Sequence, residues 1–223
     1  HIWIGTLNAG LNRFDPASGA VTRFRRSATN TASLSGDRIT RLRADVRGRI
    51  WVATTEGLDV VDPAANSVRR VGDQQGAPAS LGGAVNAILE FPDGLMWIGT
   101  ATGGLVRFQI APDGAISDFR TFGTDEGLAS DVVLRVLHDD DGYLWIATSE
   151  ALTRFDPRTN GVLSFDETDG LRSEEFYSGV YQSQARRMVL GGPEGLIAFN
   201  PSEVRPNPYP PPVVLTGFTI FNR

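Results

Sequence analysis

The 223-residue sequence has no cysteine and no lysine, and only two histidines and two methionines. Without Cys there are no disulfides, no thiolate metal sites and no cysteine nucleophile, while the compartment stays open because an extracytoplasmic protein can do without Cys. Two His without Cys make no typical zinc site unless carboxylates supply the rest. All 21 basic residues are Arg, against 26 acids, and the net charge of −5 argues against nucleic acid as a partner. No stretch approaches the ~18 apolar residues that span a bilayer, so a membrane is expected only through segments outside this chain.

Catalytic signatures are equally scarce. No Gly-x-Ser-x-Gly elbow occurs. Gly99-Thr100-Ala101-Thr102-Gly103-Gly104 resembles a phosphate loop, but a strand pattern follows it where a helix is needed. His138-Asp139-Asp140-Asp141-Gly142 fails the calcium-loop register, which needs alternating ligands, Gly at the sixth position and Glu at the twelfth. Both read as hairpin turns. We expect no metal, no cofactor and no catalytic residues.

Turn formers are abundant instead, with 25 Gly and 13 Pro, and they punctuate a repeat. All four Trp stand in one phrase: Trp3-Ile4-Gly5-Thr6, Trp51-Val52-Ala53-Thr54, Trp97-Ile98-Gly99-Thr100 and Trp145-Ile146-Ala147-Thr148. They are spaced 48, 46 and 48 residues apart, and Val189-Leu190-Gly191-Gly192 follows 44 residues later as a copy without Trp. Each copy leads into a second phrase, such as Gly10-Leu11-Asn12-Arg13-Phe14-Asp15-Pro16 or Ala151-Leu152-Thr153-Arg154-Phe155-Asp156-Pro157. A third apolar segment then ends at Phe24, Val71, Phe119 or Phe165. A fourth precedes each Trp through a tight turn: Arg47-Gly48, Asp93-Gly94 or Asp141-Gly142.

Four short strands per ~46 residues, joined by hairpins, is the pattern of a β-propeller blade. The Trp strands are near-continuous apolar runs, as expected where both faces are covered by neighbouring blades. The predicted fold is an all-β propeller of four-stranded blades over residues 1–203. Naming strands a to d from the axis outward, the first blade lacks a, three blades are complete, and the fifth lacks d. The chain is therefore expected to be part of a larger, seven-bladed ring, with an open edge on its first and last blades. Residues 204–212 contain five Pro in eight positions and read as a stiff linker.

The repeat, with its LWIGT, GGLxRFDP and DGxLWIGT phrases, resembles the two-component regulator propeller family. The resemblance runs from residue 1 to about 203. It extends through Gly170-Leu171-Arg172-Ser173-Glu174-Glu175-Phe176 to residues 213–223, which resemble the first strand of an immunoglobulin-like sandwich. It implies the periplasmic sensor region of a bacterial histidine kinase, hybrid kinase or diguanylate cyclase. The implied chain is non-catalytic, acts in a homodimer, and binds or relays a ligand such as an oligosaccharide or cell-envelope fragment. A carbohydrate-active propeller enzyme and a purely structural scaffold are the alternatives.

One constellation suits ligand binding. Asp37, Asp131 and Glu174 align at the entry to strand a, with Gly83 in the third blade, and Arg41 and Arg135 align four residues on. Inner strands line a propeller's channel, so these side chains could form a polar mouth. The alternative is that each Asp caps the turn into its strand and each Arg is solvated.

Overall fold

In a computed structural model the chain forms five antiparallel sheets laid side by side; it describes residues 1–166, 169, 171, 176, 178–182, 187–193 and 195–204. The first sheet holds β1 (Ile2–Gly5), β2 (Leu11–Phe14) and β3 (Val21–Phe24). The second holds β4 (Ile39–Ala44), β5 (Ile50–Thr54), β6 (Leu58–Asp62) and β7 (Ser67–Arg70). The third holds β8 (Val85–Glu90), β9 (Leu95–Thr100), β10 (Leu105–Ile110) and β11 (Ile116–Phe122), and the fourth β12 (Val133–His138), β13 (Leu144–Thr148), β14 (Leu152–Asp156) and β15 (Gly161–Phe165). The fifth is β16 (Ser178–Gln182), β17 (Met188–Gly192) and β18 (Gly195–Phe199). These are propeller blades, and among the described residues the first and last sheets hold three strands each, as the repeat predicts. Among the described residues the helical elements are 3₁₀ turns of three or four residues.

The repeated Trp and Phe explain why the blades stack. Trp51, Trp97 and Trp145 are at most 2% exposed. Each meets a ring on the third strand of the next blade: Trp51 with Phe108 at 5.7 Å, Trp97 with Phe155 at 5.7 Å, and Trp145 with Phe199 at 4.9 Å. Within its own blade, each of Trp3, Trp97 and Trp145 also packs on the last residue of the outermost strand, Phe24, Phe122 or Phe165. One side chain thus joins two strands of one sheet to a strand of the next, burying large apolar area at both contacts.

Trp3 is only half-buried, and on the same strand Ile2 and Ile4 are 52% and 45% exposed. Among the described residues β1 pairs only with β2, and β18 only with β17.

Two sequence expectations need correction or placing. The fourth strand of the third blade ends at Phe122, not Phe119, because Phe122 is the residue opposite Leu105, as Phe24 is opposite Leu11 and Phe165 opposite Leu152. A register shift between Arg107 and Gln109 lengthens the strand, and Asp118 takes a positive φ of 55° there. Phe119 instead packs on Phe108 at 5.4 Å. The proline-rich segment after Val204 and residues 213–223 lie outside the described residues.

Candidate functional site

The inner strands β4, β8 and β12 are neighbours around the axis, and each carries a bulge at one repeated position: between Ile39 and Arg41, Val85 and Ala87, and Val133 and Arg135. The extra residue reaches across to the next blade. Thr40 Oγ1 donates to the Val85 carbonyl at 2.5 Å, and Asn86 Nδ2 donates to the Val133 carbonyl at 3.1 Å. These bonds tie the inner strands at one level, and the bulge re-aims the residues that follow.

Those residues include Arg41 and Arg135. Both are half-buried, and each donates Nη1 to the carbonyl just before it, Thr40 at 2.6 Å for Arg41 and Leu134 for Arg135. Burial lowers the pKa of Arg41. Burial first, and the charge of Arg41 second, bring Arg135 down to about 10.

Asp37 and Asp131 do something else. Asp37 Oδ1 accepts the Arg26 amide at 2.8 Å and its carbonyl accepts the Gly10 amide at 3.0 Å. Asp131 Oδ1 accepts the Thr124 amide at 2.9 Å and its carbonyl accepts the Gly104 amide at 2.8 Å. In both cases the residue fastens the start of an inner strand to two turns of the preceding blade. Gly10 and Gly104 have φ of 70° and 68°, and a Cβ there would stand 2.2 and 2.1 Å from the Phe24 and Phe122 carbonyl oxygens. Only glycine fits. The structure thus separates two groups the sequence aligned: carboxylates that fasten turns, and half-buried guanidiniums that turn back on their own strands. Glu174 lies outside the described residues.

Asp59 was missed by sequence reasoning. It is fully buried on β6, where other blades carry Asn12, Val106 or Thr153. Its Oδ2 accepts the Ser35 amide at 2.9 Å and the Ser35 hydroxyl at 2.8 Å, while Oδ1 has no hydrogen-bond partner among the described residues. Burial pushes its pKa up to about 6, against those bonds and the charge of Arg70. Arg70 pins the same loop, donating to the Ser33 and Leu34 carbonyls at 2.9 and 3.1 Å. Above them lies a cleft of about 410 Å³ lined by Arg26, Ser35, Glu56, Gly57, Arg70 and Leu81 among others. The one available signal was an acid in a position otherwise neutral.

One copy of the repeat matches a known family pattern. The family pattern for the two component regulator propeller matches residues 127–150, which run from the end of the third blade through β12 and β13. Residues 127–150 carry the two component regulator propeller pattern. The same inner hairpin occurs in the second and third blades of this chain, in the same register. A curated relative, histidine kinase P4 of Formosa agariphila, is 26% identical over 99% of the chain, which spans 16% of that protein's length. Among solved structures, the extracellular domain described as hybrid two component system BT4673 of B. thetaiotaomicron matches 90% of this chain and 28% of its own, with a TM-score of 0.74 at 20% identity. The corresponding domain of BT3049 matches 90% and 25%, with a TM-score of 0.67 at 21% identity. At such identity these likenesses show the fold.

Proposed function

We propose that this chain is part of the non-catalytic, extracytoplasmic sensor propeller of a membrane-bound bacterial signalling protein. The observation that carries the reading is the regulator repeat, alone among the chain's motifs in naming a biological role. The likeness over 99% of the chain to a histidine kinase, and the fold shared with extracellular domains of hybrid two-component systems, support the placement. In this reading a ligand such as an oligosaccharide or cell-envelope fragment is held at the channel end where Arg41 and Arg135 stand, with Glu174 as a further contact from the fifth blade. Asp37 and Asp131 shape that end by fixing its loops. The rigid ring then passes the ligand's effect through the proline-rich segment to a dimeric partner and a kinase or cyclase output.

The alternative, a carbohydrate-active propeller, needs a convergent acid and base. The carboxylates of Asp37 and Asp131 accept loop amides instead, which favours the sensor. The test is to incubate the purified chain with a panel of polysaccharides and follow both binding and reducing ends. Binding without turnover is expected. Depolymerisation that disappears on Asp131→Asn would overturn the sensor reading.

A further inference from the structure

The second and fourth blades use one outer position in two ways. In the fourth, Arg158 donates Nε to Asp156 Oδ1 at 2.9 Å, and the Arg154 and Arg158 guanidiniums lie 4.9 and 5.2 Å from the Tyr143 ring centre. In the second, the equivalents of Tyr143, Arg154, Asp156 and Arg158 are Arg49, Val60, Asp62 and Ala64. The equivalent of Leu163 is Arg69. The cation that occupies Asp156 has thus no counterpart beside Asp62, and two arginines stand where the fourth blade has a tyrosine and a leucine.

A cleft of about 400 Å³ opens there, lined by Arg49, Asp62, Ser67, Arg69, Asp113 and Gly114 among others, a size usual for small-molecule sites. One wall is the turn between β10 and β11 of the third blade, and both arginines reach the same residue of it. Arg69 Nη2 donates to the Gly114 carbonyl at 3.0 Å, and Arg49 Nη1 lies 3.2 Å from where a Cβ on Gly114 would stand. Buried Asp45 orients Arg49 by accepting its Nε at 2.7 Å, which leaves both Nη groups without a hydrogen-bond partner among the described residues. Burial, and after it the charge of Arg49, lowers the pKa of Arg69. Asp62 Oδ1 accepts the Ala64 and Ala65 amides at 2.9 and 3.1 Å, and Asp113 Oδ1 accepts the Ala115 amide at 2.8 Å. Among the described residues, Arg69, Asp62 and Asp113 belong to no ion pair.

That inventory selects a ligand chemistry. Planar guanidiniums with spare N–H donors hold a carboxylate through paired bonds. A bare anion would also face the remaining oxygens of two carboxylates, which call for hydroxyl donors on the same molecule. We infer that the cleft between the second and third blades binds a sugar acid, its carboxylate on Arg49 and Arg69 and its hydroxyls on Asp62, Ser67 and Asp113. The site shares no residue with the channel end, and it rests on the sensor reading only for the claim that its occupancy is a signal.

The test is calorimetric titration of the full chain with trigalacturonate, its uncharged methyl ester and inorganic sulfate. Trigalacturonate should bind, more weakly at higher salt. It should bind roughly tenfold or more tightly than either the ester, which lacks the charge, or sulfate, which lacks the hydroxyls. Arg49→Gln and Arg69→Gln should each weaken binding roughly tenfold. Arg49→Gln also strips Asp45 of its partner, so a second variant keeps the test independent of folding. Ser67 is exposed on the cleft wall, and Ser67→Phe puts a ring into the cleft with both arginines in place. That variant should lose binding at an unchanged melting temperature. Ester or sulfate binding as tight as that of trigalacturonate overturns the sugar-acid assignment. Absence of trigalacturonate binding, or binding unchanged in both Arg69→Gln and Ser67→Phe, overturns the site. Either failure leaves the sensor reading standing, since that reading is decided by signalling output.

Discussion

Trp145 donates its indole N–H to Asp139 Oδ2 at 2.8 Å, six residues earlier in the chain, and Trp51 donates to Asp45 Oδ2 at 3.1 Å across the same interval. The other oxygen of each carboxylate closes the hairpin. Asp139 Oδ1 accepts the Asp141 and Tyr143 amides at 3.0 and 2.9 Å, and Asp45 Oδ1 accepts the Arg47 and Arg49 amides, both at 2.9 Å. In the third blade the residue is Phe91. The hairpin keeps its backbone bonds, Phe91 packs on His138 at 5.2 Å, and Trp97 Nε1 is buried without a partner among the described residues.

Asp139→Ala should therefore be among the costliest single changes in an inner hairpin. It leaves a buried indole N–H and two turn amides without their acceptor, a loss of about 3 kcal/mol. Asp141→Ala in the same turn should cost under about 1 kcal/mol. Urea denaturation of the two variants checks the ranking, and equal losses would contradict it.

The fastening role of Asp37 and Asp131 predicts a loss of stability without a loss of ligand. Asp131→Ala should lower stability by about 1–2 kcal/mol, since one loop amide loses its acceptor. Affinity for whichever probe binds the channel should stay within about twofold once the protein is folded, a change of under 1 kcal/mol. A large affinity loss in a variant of unchanged melting temperature would return Asp131 to the ligand-binding set.

Asp59 makes stability depend on pH in an unusual direction. Its folded pKa of about 6 lies above the ordinary 3.8, so the native state holds this proton more tightly than the unfolded chain. The stabilising contribution is complete below about pH 4 and is lost as pH rises to about 6, an effect of about 3 kcal/mol. Asp59→Asn keeps an acceptor for Ser35 and cannot ionise. The variant should be more stable than the parent at pH 7.5, and the difference should shrink as pH falls toward 5. Parallel melting curves for the two proteins at every pH would disprove the titration.

The interblade Trp–Phe contact is the unit of cohesion, and Phe155→Ala should destabilise by about 3–5 kcal/mol, as deletion of a buried ring does. Phe14→Ala should cost much less, because Phe14 is only half-buried on the first blade. Calorimetric unfolding of both variants tests the contrast.

The blades were legible because one buried residue type, Trp, recurs with the same turn on either side, so register and strand order follow from spacing alone. The fourth strand of the third blade was misread for a local reason. The bulge past Arg107 shifts the pairing, and Phe119 and Phe122 are both aromatic residues that look equivalent in sequence. Of the candidate site the sequence showed which positions are equivalent, not what they touch. Alignment showed that Asp37 is equivalent to Asp131 and Arg41 to Arg135, but not that each carboxylate would accept a loop amide while each guanidinium turned back on its own strand. That division depends on the bulge, which period and composition do not reveal. Asp59 escaped because burial of a single acid on a strand leaves no periodic trace.

The central claim, that this propeller senses rather than catalyses, is tested most directly by phosphorylation or cyclase output of the full-length protein in membrane vesicles. Output would be followed as a panel of polysaccharides and their oligosaccharides is added, with and without residues 1–203. The account predicts that at least one addition changes output only when residues 1–203 are present, and that the added glycan is recovered unshortened. Output indifferent to every addition, together with glycan cleavage by the propeller, would contradict it.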